Sequence, residues 1–153
     1  MPVNALTLKE RVARASQPNA RVNMLSDAEF DALLAHVDKG HEEWIAMLPA
    51  FSKHTDAYFS EALGISLAEA LLHNPEAVLR VADNVDSNAP LALEHICGVP
   101  FIEITRQEVL DYQRKANVSL NSVTQPSLQA KKSACLNVLN SPLPPESESD
   151  DDD

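Results

Sequence analysis

Apolar residues return at helical spacing along most of the chain, and short polar stretches separate one run from the next. Phe30, Leu33, Leu34 and Val37 follow the i, i+3, i+4, i+7 pattern that turns one face of an α-helix towards a core. The segment 55–73 repeats this spacing and is predicted to be one continuous helix. The whole pattern predicts an all-α fold, with six to eight short helices in a compact orthogonal or antiparallel bundle.

Three capping boxes of the form S/T-x-x-E mark predicted helix starts, at residues 7–10, 26–29 and 105–108. In such a box the hydroxyl and the carboxylate each accept a hydrogen bond from a backbone amide that the helix leaves unpaired. The first box predicts a helix from Thr7 to about Ser16. The other two predict the starts of longer helices.

Glycine and proline mark the predicted helix ends. Gly40 stands where a helix C-cap favours glycine, and Asn74-Pro75 joins an N-cap residue to the proline preferred at the first helical position. Pro49 is predicted to end a short helix over residues 41–48.

Pro100 restricts the backbone of Val99, so residues 99–102 are predicted to be an extended apolar connector. Helices are predicted on both sides of it, over residues 75–83, 90–97, from 105 onwards and 126–139. The core is predicted to rest on seven of their inward side chains: Phe30, Trp44, Leu63, Leu67, Leu71, Leu79 and Val109.

Composition divides the chain into three parts. Residues 1–24 are predicted to be a weakly ordered helix and linker, residues 25–140 a helical domain, and residues 141–153 a disordered acidic tail with little to bury. The chain has only three glycines, at least 24 residues apart, which excludes the glycine-rich loops that bind nucleotides. So few glycines also disfavour an all-β fold, which needs many tight turns.

The chain carries a formal net charge of -11, which disfavours binding to nucleic acid. Six acids of the tail account for about half of it: Glu146, Glu148 and Asp150 to Asp153. No apolar run reaches the length of about 20 residues that a membrane helix needs. The first residues also lack the apolar stretch of a signal peptide. A cytoplasmic location is therefore expected if residue 1 is the natural start, and a periplasmic one if the chain is a processed form.

The sequence offers no catalytic constellation and predicts no cofactor and no metal site. His41-Glu42-Glu43-Trp44 lacks the second histidine of the zinc motif H-E-x-x-H, and there is no G-x-S-x-G elbow. The acids that stand out are candidates for contact with a partner instead: Asp38, Glu42, Glu43 and Glu103.

The two cysteines, Cys97 and Cys135, are either two buried thiols or a disulfide. Cys97 ends a short predicted helix just before the connector, and Cys135 lies on the inner face of the last predicted helix. Both positions lead us to expect the two side chains to lie close together, whatever their redox state. Export would favour the bond and a reducing cytoplasm the thiols.

Three stretches carry a resemblance to other proteins: residues 66–79, residues 96–103 (Ile-Cys-Gly-Val-Pro-Phe-Ile-Glu) and residues 134–136 (Ala-Cys-Leu). Together they resemble a pattern shared by small, uncharacterised, all-helical bacterial proteins, many of which look exported. The resemblance spans roughly residues 25–140. It implies a helical fold and pairing of Cys97 with Cys135, and it implies no activity.

The leading expectation is a non-enzymatic protein-binding module, for example a bacterial inhibitor or immunity-type protein that engages a basic partner. One alternative is a small-ligand binder or an enzyme with a site between helices, and another is a subunit of a larger assembly or a homodimer. A pocket with a strongly perturbed carboxylate or histidine would favour the ligand site. A flat acidic or apolar patch would favour the binding module.

Overall fold

The computed structural model describes residues 4–142 and confirms the predicted all-α class. Over these residues no β-strand forms, and Asp83 and Ala92 make one isolated bridge. Single 3-10 turns cover Ser52–His54 and Pro126–Leu128. The α-helices in chain order are α1 (Ala5–Ala15), α2 (Asp27–Asp38), α3 (Glu42–Ile45), α4 (Leu48–Phe51), α5 (Ala57–Ala70), α6 (Pro75–Val81), α7 (Leu93–Ile96), α8 (Arg106–Asn121) and α9 (Gln129–Leu139).

Helix α5 packs against α2, α6 and α7. Leu63 and Leu67 are fully buried, and the helix continues through Ser66 without a restart, as predicted. The Ser66 hydroxyl donates a hydrogen bond to the Asp38 carboxylate and lies 3.1 Å from the carbonyl oxygen of Leu34. These two contacts of the Ser66 hydroxyl connect α5 to the C-terminal part of α2.

Helix α2 has the ends that the sequence predicts. The Ser26 hydroxyl accepts from the amide of Glu29 at 3.1 Å, and the Glu29 carboxylate accepts from the amide of Ser26 at 2.8 Å. At the other end Gly40 adopts a left-handed φ of 79°. A side chain there would press on His73 and Asn74, since a Cβ atom would come within 3.0 Å of both. Glycine therefore fits this turn better than any other residue.

The first predicted capping box is wrong. Helix α1 begins at Ala5, two residues before Thr7, because the side-chain oxygen of Asn4 accepts from the amide of Thr7 at 3.2 Å. The helix packs into the same core as the rest of the chain, with Leu8 and Val12 buried.

Pro49 does not end a helix as predicted. It lies in the first turn of α4, where backbone amides have no partner within the helix, so a proline costs no hydrogen bond there. Among the predicted core residues, Val109 is only half-buried, whereas the other six are buried. The predicted acidic tail begins at Ser141, and its residues 143–153 lie outside the described part of the chain.

Cys97, at the end of α7, and Cys135, in α9, are joined by a disulfide with their Cα atoms 5.4 Å apart. Both cysteines are fully buried. The bond fixes the start of the segment that follows α7 against the last helix. Over residues 4–142, no helix is both long and apolar enough to cross a membrane.

Candidate functional site

In the structure the connector between α7 and α8 spans residues 98–105, and within it Val99 departs from the extended form that the sequence predicts for residues 99–102. Val99 has a φ of 54° and Glu103 a φ of 59°, both in the left-handed region that disfavours residues other than glycine. The conformation is most costly for β-branched valine, and strain of this kind tends to mark functional segments. Between the two, the side chain of Ile102 is 70% exposed.

Phe101 and Tyr112 hold the middle of the connector against α8. Their rings meet edge to face at a centroid distance of 4.9 Å. The Tyr112 hydroxyl donates to the carbonyl oxygen of Ala68 in α5 at 2.6 Å. Burial, with a smaller contribution from the Glu69 carboxylate, raises the pKa of Tyr112, so the phenol remains a donor at neutral pH.

A groove of about 320 Å³, here called the connector groove, runs between α5, the connector and α8. Leu72, Phe101, Ile104 and Tyr112 supply its apolar surface, and its charged residues are Glu69, Glu108, Asp111 and Lys115. Hydrogen bonds from Gln107 and Arg114 lower the pKa of Asp111 and keep it ionised. The groove therefore joins an apolar surface to three carboxylates and one ammonium group.

The structure separates the four acids that the sequence singled out. Asp38 bonds to Ser66 between α2 and α5, Glu43 pairs with Lys9, and Glu42 lies 3.3 Å from Arg80. Each of these three therefore has a partner within the chain, as do Glu108, which accepts from the amide of Thr105 at 2.7 Å, and Asp111, which accepts from Arg114. Glu103 alone is part of the connector, where it is exposed beside Ile102.

From the sequence, Glu108 was assigned only to a capping box and was not connected with Asp111 or Glu69. Glu108 and Asp111 are one turn apart on α8, a spacing that a helical projection of residues 105–121 would have shown. Their meeting with Phe101 and Glu69 depends on packing between α5 and α8. The left-handed backbone of Val99 has no signal in the sequence, because valine is among the least expected residues there.

A second cleft, of about 380 Å³, lies beside the N-terminal half of α5. Its polar lining residues are Ser60, Glu61, Ser87, Asn88 and His95. The Nε2 atom of His95 is buried, has no hydrogen-bond partner and lies 3.5 Å from the Glu61 carboxylate. The Ser60 hydroxyl is already engaged, since it lies 2.8 Å from the hydroxyl of Thr55. The Thr55 hydroxyl in turn donates a hydrogen bond to the backbone carbonyl of Ser52. The Nε2 atom of His95 therefore makes no hydrogen bond to the hydroxyl of Ser60 or Ser87 in this cleft.

A histidine pair occupies the corner between α2 and α3. The Nδ1 atoms of His36 and His41 are 3.2 Å apart, and the ring of His36 stacks on Trp44 at a centroid distance of 4.2 Å. Burial, together with the nearby charges of His41, Lys39 and Lys9, lowers the pKa of His36. From the sequence, His41 was considered together with Glu42 and Glu43 as a metal motif, and His36 was given no role.

Comparison with family models, with curated proteins and with solved structures gave no match for this chain. Among residues 4–142, no group of three or more His, Cys, Asp or Glu side chains could together hold a metal ion.

Proposed function

We propose that this protein is a non-enzymatic binding module whose connector groove receives a basic, amphipathic segment of a partner protein. The observation that carries the proposal is an exposed Ile102, presented on a strained connector beside an apolar groove with three carboxylates. Apolar side chains of the partner would fill the groove, and its Lys or Arg side chains would meet Glu69, Glu108 and Asp111.

Charge complementarity supports a basic partner. The chain has 23 acidic and 12 basic side chains, so its overall field attracts cations. An inhibitor or immunity-type protein that covers a basic cleft is one concrete form of this function. The disulfide is compatible with a working site outside the reducing cytoplasm.

Site-specific photocrosslinking tests where a partner docks. A photoreactive phenylalanine analogue is placed at Ile102 in one sample and at Val118 in another, because both side chains are 70% exposed. In cells of the source organism, we expect a crosslinked protein from position 102 and none from position 118. Equal crosslinking from both positions would remove the connector groove as the docking site.

The purified partner then allows an affinity measurement. Ile102→Ser should weaken binding by about tenfold or more if Ile102 is an anchor, whereas Val118→Ser should leave it unchanged. A Glu108→Gln/Asp111→Asn variant should bind more weakly than the unaltered chain, and this loss of affinity should be larger at low salt than at high salt. Crosslinking of position 102 to a second copy of the same chain would instead support a homodimer.

The cleft at His95 supports a second candidate, a site for a small polar ligand. The buried, unbonded Nε2 atom of His95 next to Glu61 is the specific observation in its favour. A thermal-shift screen of small polar metabolites tests it. A compound that raises the melting temperature of the unaltered chain, but not of His95→Ala, would establish the second function.

A further inference from the structure

The histidine pair is held together by the backbone of the corner between α2 and α3. The amide of Gly40 donates to the carbonyl of Val37 at 2.8 Å, and the amide of His41 donates to the carbonyl of His36 at 3.3 Å. These two bonds form the Schellman turn that ends α2. The turn places a residue of the last turn of α2 beside the residue that precedes α3.

The ring of His36 is positioned by the turn and also by stacking on Trp44. The two rings are nearly parallel, with an interplanar angle of 5°, and Trp44 is itself 3% exposed. The orientation of the His36 imidazole is therefore set by packing and does not depend on its contact with His41. A ligand that is held in advance loses less conformational freedom when it binds.

The distance between the two Nδ1 atoms suits metal coordination. Zinc binds imidazole nitrogen at about 2.0–2.1 Å, so two nitrogens 3.2 Å apart on one zinc ion subtend an angle of about 100–106° at the metal. That angle is close to the tetrahedral value. At this distance the two Nδ1 atoms share a hydrogen bond, so metal binding requires the proton between them to move to Nε2 of its own ring. The His41 ring must also turn until its lone pair and that of His36 point at the same ion.

We propose that His36 and His41 form an open site for a divalent transition-metal ion such as Zn²⁺, with both histidines coordinating through Nδ1. Two of the four positions of a tetrahedral ion remain for water or for a donor group of a docked molecule. A shallow depression of about 540 Å³, lined by His41, Glu42, Glu43 and Ala46, adjoins the pair and has room for them.

The charges around the pair set limits on the site. Lys9 and Lys39 are the nearest cations and oppose a metal ion, whereas the carboxylates of Glu42 and Glu43 favour one. Lys9 is itself paired with Glu43, which reduces its repulsion. With two protein ligands and mixed charges, the ion should exchange readily, unlike the closed four-ligand sites of structural zinc.

Calorimetric titration of the tag-free, chelator-treated chain with Zn²⁺ at pH 7.5 tests the proposal. We expect one ion per chain, with an affinity at least about tenfold weaker in His36→Ala and in His41→Ala. His73→Ala is the matched control, because the imidazole of His73 is exposed and faces the Glu69 carboxylate of α5 at 3.9 Å instead of the histidine pair. Absence of binding, or equal binding in all variants, would overturn the proposal.

A measurement on the unaltered chain guards against variants that fail to fold. The imidazole ¹⁵N resonances report which of the five histidines take the ion. We expect two histidines to shift on addition of Zn²⁺, both at Nδ1, and Co²⁺ to give the visible spectrum of a tetrahedral site. A shift at Nε2, or at histidines other than 36 and 41, would contradict the assignment.

Discussion

Gly64 shows how one missing side chain shapes a site. It lies in the middle of α5, where glycine is ordinarily unfavourable, and the ring of His95 occupies the space beside it. A Cβ atom at this position would come within 2.3 Å of Cδ2 and 2.8 Å of Nε2 of His95. The glycine therefore permits the imidazole to approach Glu61.

This arrangement predicts that the effect of Gly64→Ala depends on His95. In the unaltered background, the clash should outweigh the gain in helix propensity and destabilise the fold by roughly 1–3 kcal/mol. In a His95→Ala background, the same substitution should stabilise it by about 0.5–1 kcal/mol. Urea unfolding of the four variants gives both values, and a stabilising effect in both backgrounds would contradict the contact.

Leu67 offers the corresponding test of the core. Its side chain is fully buried in α5, so Leu67→Ala should lower the free energy of unfolding by about 2–5 kcal/mol. Val118→Ala is the control, since Val118 is 70% exposed and its truncation should change stability by less than about 0.5 kcal/mol. A small effect at Leu67 would mean that another face of α5 points inward.

Burial was the property of single residues that the sequence predicted best. The helical period places Leu63, Leu67 and Leu71 on the buried face, because one stripe of α5 must meet the core. Val109 follows the same period and is only half-buried, since it lies in the first turn of α8. The left-handed φ of Val99 and the meeting of His36 with His41 depend on the path of the folded backbone, which local spacing does not encode.

At the scale of helices, α1 is joined to α2 by an ion pair that also involves a cap. The guanidinium of Arg11 donates to both oxygens of Glu29, at 2.9 and 3.3 Å, and to the carbonyl of Met24. Glu29 is at the same time the carboxylate of the α2 capping box. One side chain therefore completes a helix start and attaches the neighbouring helix.

The titration of Glu29 predicts a loss of stability in acid. The hydrogen bond from Arg11, followed by the one from the Ser26 amide, lowers the pKa of Glu29 in the folded chain. Its contribution is therefore present above the pKa of the unfolded chain, near 4.3, and is lost as the pH falls through the lower folded value.

Glu29→Gln should cost about 1 kcal/mol at pH 7, and the difference from the unaltered chain should shrink below about pH 4. Unfolding by urea at several pH values measures this difference. Glu10→Gln is the control, because Glu10 is an exposed acid of the neighbouring helix α1. A difference that stays constant down to pH 3 would show that Glu29 is not coupled to folding through its charge.

The disulfide is the covalent link between α7 and α9. Its cysteines are 38 residues apart, and the bond restricts the unfolded chain over that interval. Cys97→Ser/Cys135→Ser should therefore lower stability by about 2–4 kcal/mol. Calorimetry of the unaltered chain with and without reductant, alongside the double variant, measures the loss, and a change below about 0.5 kcal/mol would argue against a structural role.

Helix boundaries were predictable where a side chain caps a helix locally. The boxes at Ser26 and Thr105, the Asn74-Pro75 start and the glycine after α2 all act within four residues of the chain. The box at Thr7 failed because Asn4 caps the same helix earlier, so two equivalent local signals competed. The connector groove could not be predicted in this way, since the residues of its two walls are 29 to 46 positions apart in sequence.

At the scale of the whole molecule, charge is the most distinctive property. The six acids of residues 146–153 contribute six of the eleven net negative charges, so residues 1–145 carry -5. By composition this segment offers no aliphatic side chain, and Leu143 is the only one after Pro142. We expect its contribution to be electrostatic and its contribution to the core to be negligible.

Truncation after Pro142 separates these two contributions. The free energy of unfolding should change by less than about 1 kcal/mol, because the segment supplies little apolar surface to the core. If the connector groove binds a basic partner, the association rate at low salt should fall, because the six lost carboxylates no longer attract the partner over distance. The dissociation rate should stay unchanged, because the groove itself is intact.

Replacing the six acids by Gln and Asn within the full-length chain should reproduce the rate effect without a change in length. A loss of stability beyond 1 kcal/mol, or a faster dissociation after truncation, would show that the segment makes direct contacts and does not act through charge alone.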